Sequence, residues 1–351
     1  MKRIATFALA AIATLALGAC QVGPKTASQN GVRGTGMDQI QLKKVALAKD
    51  EVPAPPYDPP TTEGQKAKEV YQNVQVLGDE SAEQFNYTMA AITQWVAPKE
   101  GCAYCHNPEN MASDALYTKV VARRMLQMTR NINHNWSKHV AQTGVTCWTC
   151  HRGNAVPVNN WSLPKPGPNS TVGNRHGQDD PVPASAFSSL PNASLALYLT
   201  GDPKVDRNIR VNSTGIHPSP ANKTRVMEAE KSYALMMHVS QSLGVNCAFC
   251  HNAGAFQSWT LSTPQRATAW YGVRMVRDVN GNYMTPLASV FPAKRKGPMG
   301  DTLKVSCATC HQGKNKPMGG YQMAKDYHAL WGAPAAVAAA PAAPAAGAAT
   351  R

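Results

Sequence analysis

The chain is poor in what ordinary protein cores and surfaces are built from. Only 7% of its 351 residues are aromatic and 16% are charged. Sparse charge argues against a solvated, charge-driven disordered chain. Sparse aromatics, beside 26 prolines and 26 glycines, leave little side-chain material for a conventional core and point to extensive loops. Acidic residues are in deficit, 21 against 35 Lys and Arg, for a formal charge of +14. After the first twenty residues no apolar run approaches the roughly 18 residues of a membrane-spanning helix. Nor are there cysteines to spare for disulfides, because the nine present can all be assigned otherwise.

Eight of them form four CxxCH boxes: Cys102, Cys105 and His106; Cys147, Cys150 and His151; Cys247, Cys250 and His251; Cys307, Cys310 and His311. This spacing is the signature of c-type haem attachment. Two thiols three positions apart can bond the two vinyl groups on one porphyrin edge, and the adjacent histidine reaches the iron from one face. Zinc would call for paired CxxC units with histidines at variable offsets, and a thiol redox pair has no need of a following histidine. Four boxes imply four covalent haems. If their eight propionates ionise, the net charge falls to about +6, a basic balance suited to acidic protein or membrane surfaces.

Lys2 and Arg3 precede an apolar run from Ile4 to Leu17 that ends in Leu17-Gly18-Ala19-Cys20. This reads as an export signal, and its end as a bacterial lipobox in which Cys20 is acylated and becomes the mature N-terminus. An export signal with an incidental cysteine is the plainer alternative. Either reading takes the chain out of the cytoplasm, where nucleic acid is no partner. Gln21 follows the cysteine, so no aspartate sorting signal is present.

The chain reads as a repeat of an amphipathic methionine-bearing helix, a connection and a box. The expected divisions are a signal peptide at 1–19, an extended anchored arm at 20–78, and a first haem-pair module at 79–160. A connecting segment at 161–219, a second module at 220–331 and an Ala/Pro-rich disordered tail at 332–351 follow. Helices are expected from Ser81 with Gln84 as a capping partner to Pro98, from Ser113 through Ile132, after Pro220 to Gly244, and from Thr263-Pro264 towards Asn280-Gly281.

Each box supplies one axial ligand, so four more are needed if the irons are closed. A thioether raises the potential and a second histidine lowers it. Spacing leaves Met89, Met125 or Met128, Met236 or Met237, and Met275 open, with His134, His139 and His238 in reserve.

With these features the chain resembles the tetrahaem cytochrome subunit of purple-bacterial photosynthetic reaction centres, from the lipobox to about residue 331. The resemblance implies a mainly α fold with extensive loops, two haem-pair modules related by a pseudo-twofold axis, and no transmembrane helix in the mature chain. It implies axial pairs His106 with Met89, His151 with Met125, His251 with Met236, and His311 with His139. Met275 competes for the fourth haem, since Val273-Arg274-Met275 echoes Arg123-Arg124-Met125. The implied function is electron transfer, not enzymatic catalysis. Haems in the order three, four, two, one from the membrane, with alternating potentials, would re-reduce the bacteriochlorophyll special pair of the L and M subunits. A soluble c-type cytochrome or high-potential iron-sulfur protein would refill them at the periplasmic face of the inner membrane. Tyr198 is the candidate for a tyrosine between the third haem and the special pair. A general periplasmic electron shuttle and a multihaem reductase are the competing classes.

Overall fold

The computed structural model describes residues 23–30, 37–42, 52–163, 190–191, 193–201, 209 and 226–334. The signal segment, Cys20, most of the connecting segment and the tail beyond residue 334 lie outside them. The described residues are mainly helical, and none of their helices is long and apolar enough to cross a membrane. The principal helices are α1 (Ala82–Val96), α2 (Tyr117–Asn135), α3 (Ser137–Val140), α4 (Cys147–His151), α5 (Ser194–Leu199), α6 (Val226–Leu243), α7 (Pro264–Asp278) and α8 (Cys307–His311).

Local chemistry sets their ends. Ser81 caps α1 by accepting from Gln84 N at 3.2 Å, which satisfies one of the orphan donors of the first turn. Thr263 with Pro264 opens α7, where proline's missing N–H costs nothing. Gly244, at φ +64°, ends α6 in the left-handed conformation that glycine adopts without strain. Two boundaries differ from expectation. α2 begins at Tyr117, a turn later than Ser113, because Ser113 is used in the turn before it, where its hydroxyl accepts from Ala115 N at 3.2 Å. α7 does not turn off at Asn280-Gly281 but widens into a π-helix over Val279–Met284.

The arm also departs from the expected extended segment. Residues Lys25–Asn30 (β1) pair antiparallel with Met37–Leu42 (β2), Lys25 opposite Leu42 and Asn30 opposite Met37. Further on, the chain is docked rather than free: Ala67 N donates to Glu80 O and Ala82 N to Gln65 O, both at 2.8 Å, and Leu77 is buried.

Two main cores form. One gathers Tyr87, Ala91 and Trp95 of α1 with Leu126 of α2 and a C-terminal strap of Met318, Met323, Tyr327 and Leu330. Tyr327 stacks on Tyr87 at 5.0 Å and meets Trp95 edge-on at 4.6 Å. The other gathers Leu195, Tyr198 and Leu199 of α5, Leu235 of α6, and Val273, Met275 and Val276 of α7. The first core is locked by Arg130, whose Nε donates to Ala329 O at 2.7 Å and whose Nη2 pairs with Glu80 at 2.8 Å. Glu80 is 4% exposed, and its second oxygen lies 2.9 Å from His328 Nδ1. Arg130→Met leaves the buried carboxylate half-partnered, and urea denaturation followed by circular dichroism should show a loss of about 3 kcal/mol or more.

Candidate haem-binding site

The four boxes take two local shapes. Boxes one and three are tight helical turns, Gly101–Tyr104 and Cys247–Phe249. In both, the histidine N donates to the first cysteine's carbonyl at 2.9 Å. Ring Nδ1 then reaches a carbonyl five residues on, Met111 O at 2.9 Å for His106 and Phe256 O at 3.0 Å for His251. Boxes two and four are the short helices α4 and α8. Thr146 N donates to Thr149 Oγ1 at 3.0 Å and Ser306 N to Thr309 Oγ1 at 2.9 Å. Nδ1 reaches a carbonyl three residues on, Asn154 O for His151 and Lys314 O for His311, both at 2.8 Å.

A carbonyl oxygen only accepts, so in every box Nδ1 carries the proton and Nε2 keeps its lone pair for a metal. Burial pushes the pKa of His151 and His251 down and that of His311 to about 4, the last also through its neighbour His139. In these three histidines burial thus favours the neutral imidazole, the form that ligates. Burial drives the thiols the other way, to about 11 for Cys105, Cys250 and Cys307 and about 12 for Cys147. Redox-active CxxC pairs need a depressed thiol pKa, and these four thiols are shifted the opposite way.

The helices around the boxes repeat at a constant offset. Residues 147 positions apart in the sequence, Met89 and Met236, Arg130 and Arg277, Asn133 and Asn280, occupy equivalent places. Trp95 O on α1 accepts from Gly153 N at 2.9 Å, as Ser242 O on α6 accepts from Gly313 N at 2.8 Å. Arg130 Nε donates to Ala329 O at 2.7 Å and Arg277 Nε to Tyr198 O at 3.1 Å. Asn133 clamps both backbone groups of Val145 at 2.7 and 3.0 Å, and Asn280 both of Val305 at 2.8 Å. Each valine lies two residues before its box. These clamps escaped the sequence reading, although the paired Arg-x-x-Asn spacing was its visible trace.

Met89, Met125 and Met236 are half-buried, each at the edge of an apolar cluster. Met275 is 8% exposed and packed inside the second core. The offset pairs it with Met128, not with Met125, so the sequence echo around Arg123-Arg124-Met125 was three residues out of register. His134 is exposed and His238 is buried beside Ser242.

His139 lies on α3 and crosses to the other half. Its Nδ1 donates to Thr268 O of α7 at 2.9 Å, the same arrangement as in the boxes. Its ring centroid is 6.0 Å from that of His311. Two imidazoles bonded at roughly 2 Å to opposite sides of one first-row metal ion would have centroids about 6 Å apart. Asp278 fixes the approach, accepting from Trp136 Nε1 at 2.8 Å and Asn131 Nδ2 at 2.7 Å.

Tyr198 is 3% exposed, with its hydroxyl 2.9 Å from Ser232 Oγ, and is packed in the second core. Cys150 and Cys310, the second cysteines of boxes two and four, lie side by side with Cα atoms 4.5 Å apart and are paired through their sulfurs. A sulfur in a disulfide cannot also form a thioether, so the pairing and haem attachment exclude one another. The underlying cause is the packing of α4 against α8, which brings the second cysteines of boxes two and four together.

The residues thus fit a c-type haem: paired thiols, neutral histidines with Nε2 free, and half-buried methionines at equivalent places. The sequence model described as "Photosynthetic reaction centre cytochrome C subunit" matches residues 21–331. The chain belongs to that family. It is 48% identical over 341 residues to the photosynthetic reaction center cytochrome c subunit of Rubrivivax gelatinosus, covering 96% of this chain and 92% of the relative. It is likewise 48% identical over 327 residues to that of Thermochromatium tepidum, covering 92% and 80%. Cytochrome c-554 of Chloroflexus aurantiacus is more distant, at 27% over 308 residues, covering 72% and 71%. Membership makes the chain an electron-transfer protein carrying covalently bound haem c, not an enzyme. Peptides containing Cys150 and Cys310 from the mature protein should each carry haem in a non-reduced digest. Recovery of the two peptides joined by a disulfide would mean that boxes two and four lack their thioethers.

Proposed function

We propose that the chain carries four haem c groups and passes electrons from a soluble donor to the photo-oxidised bacteriochlorophyll special pair of the reaction-centre L and M subunits. It acts at the periplasmic face of the membrane, tethered through acylated Cys20. The donor is a soluble c-type cytochrome or a high-potential iron-sulfur protein. The thioether donors are Cys102 and Cys105, Cys147 and Cys150, Cys247 and Cys250, and Cys307 and Cys310, so the haem-bearing form is one in which Cys150 and Cys310 are not bonded to each other. The axial pairs are His106 with Met89, His151 with Met125, His251 with Met236, and His311 with His139. Residues 79–160 and 220–331 form the two haem-pair modules.

The bound iron supplies a one-electron ferric/ferrous couple whose potential the second ligand tunes. What the protein does is hold each ligand so that little reorganises when the charge changes. The observation that carries this reading is the shared Nδ1-to-carbonyl bond in all four box histidines and in His139. It orients five imidazoles by backbone alone. With a second ligand available to every iron, no position is left for a substrate, which favours a carrier over a multihaem reductase. The family relationship favours the reaction centre over a general shuttle as its setting.

A short flash given to isolated membranes should oxidise haem of this chain as the special pair recovers. Absence of any haem signal would refute the photosynthetic role. Carbon monoxide should not bind the reduced native protein. Met236→His should lower one haem potential by on the order of 0.1 V, within the roughly 0.8 V that axial ligands span, and slow recovery of the special pair. An unchanged redox profile would make Met236 a packing residue only.

A further inference from the structure

We infer that Gly272 is the residue that gives the fourth haem site a histidine in place of a methionine, by vacating the place the methionine would fill. This rests on the proposed ligation by His139 and deepens it. At the constant offset of 147 residues the counterpart of Met125 is Gly272. The register is fixed on the C-terminal side by Arg130 with Arg277 and Asn133 with Asn280, each pair making matching bonds. The second half therefore has no side chain where the first half presents its thioether.

Another residue has moved into that space. A Cβ built on Gly272 would lie 2.5 Å from His139 Cε1, 2.8 Å from Nδ1 and 3.2 Å from Nε2. Real Cβ atoms essentially never come below 3.0 Å, so even alanine conflicts with the ring as placed. The ring has little room to retreat. Its Nδ1 is tied to Thr268 O, one helical turn earlier on α7, and α3 is held at its start by Trp136 on Asp278. Glycine in a helix interior costs roughly 0.5–1 kcal/mol relative to alanine, and Gly272 has an ordinary helical backbone that needs no positive φ. What a glycine provides here is space for an imidazole entering from the other half.

Ligand choice at this site is thus set by two positions acting together, one that removes a side chain and one that supplies a ring. Gly272 is a positioning residue, acting on the iron only through His139.

The test uses full-length holoprotein with haem content measured first, in four variants: Gly272→Ala, Gly272→Met, His139→Ala, and Gly272→Met with His139→Ala. Gly272→Ala should displace the ring, move one low-potential redox step out of four, and let carbon monoxide bind one reduced haem. Gly272→Met with His139→Ala should abolish that binding, raise the same step, and add the near-infrared signature of a further thioether ligand. If Gly272→Ala leaves the redox steps and carbon monoxide behaviour unchanged while His139→Ala alters them, Gly272 does not determine the ligand and the inference is wrong. If His139→Ala changes nothing, the ligation by His139 has failed first. Should Gly272→Ala carry fewer than four haems, the double variant decides: four haems with the added thioether signature support the inference, and its absence overturns it.

Discussion

An imidazole that is to hold an iron must commit one nitrogen to the protein, or its ring can spin and its tautomer is undefined. Here that commitment is made by main-chain carbonyls, not by other side chains. Five histidines, four in boxes and one outside, share it. Since a carbonyl has no proton to offer, each bond decides the tautomer as well as the direction of the ring. The remaining architecture serves to place those carbonyls. Tight turns do so for boxes one and three, and short capped helices for boxes two and four. For His139, the carbonyl comes from a helix of the opposite half.

That division into two kinds of box follows a deeper repetition. Two helix pairs, α1 with α2 and α6 with α7, carry equivalent Arg and Asn clamps, and each closes over a strap donated from elsewhere in the chain. The repetition gives the second half the same scaffold as the first. Among its departures, glycine where the first half has Met125 leaves the space that the ring of His139 enters from the other half.

Much of this was legible from residues alone. The boxes, the helix cap at Ser81, the helix start at Thr263-Pro264 and the stop at Gly244 follow from local chemistry, and local chemistry is what a sequence states directly. The register of the repeat was not legible in the same way. The helices repeat at 147 residues, but Cys102 to Cys247 is 145 and Cys147 to Cys307 is 160. A pattern search that ties methionines to their boxes therefore slips, as the apparent match of Met275 with Met125 did. His139 was beyond spacing altogether, since its partner His311 lies in the other half and only the folded chain brings them together; it entered through family resemblance. The hairpin at residues 25–42 was missed because neither of its segments carries a marked apolar alternation.

The straps differ in how far along the chain they come from. Arg277 closes on Tyr198 across 79 residues, whereas Arg130 closes on Ala329 across 199. A contact of low sequence separation costs less loop entropy and forms sooner. The second half can therefore complete its clamp from its own neighbourhood, while the first half, although made first, stays open until the chain has been synthesised almost to its end. An emerging chain cut short of residue 329 would lose the integrity of its N-terminal half before that of its C-terminal one. The burial of Glu80 beside Arg130 is thus settled only by the last described residues of the chain.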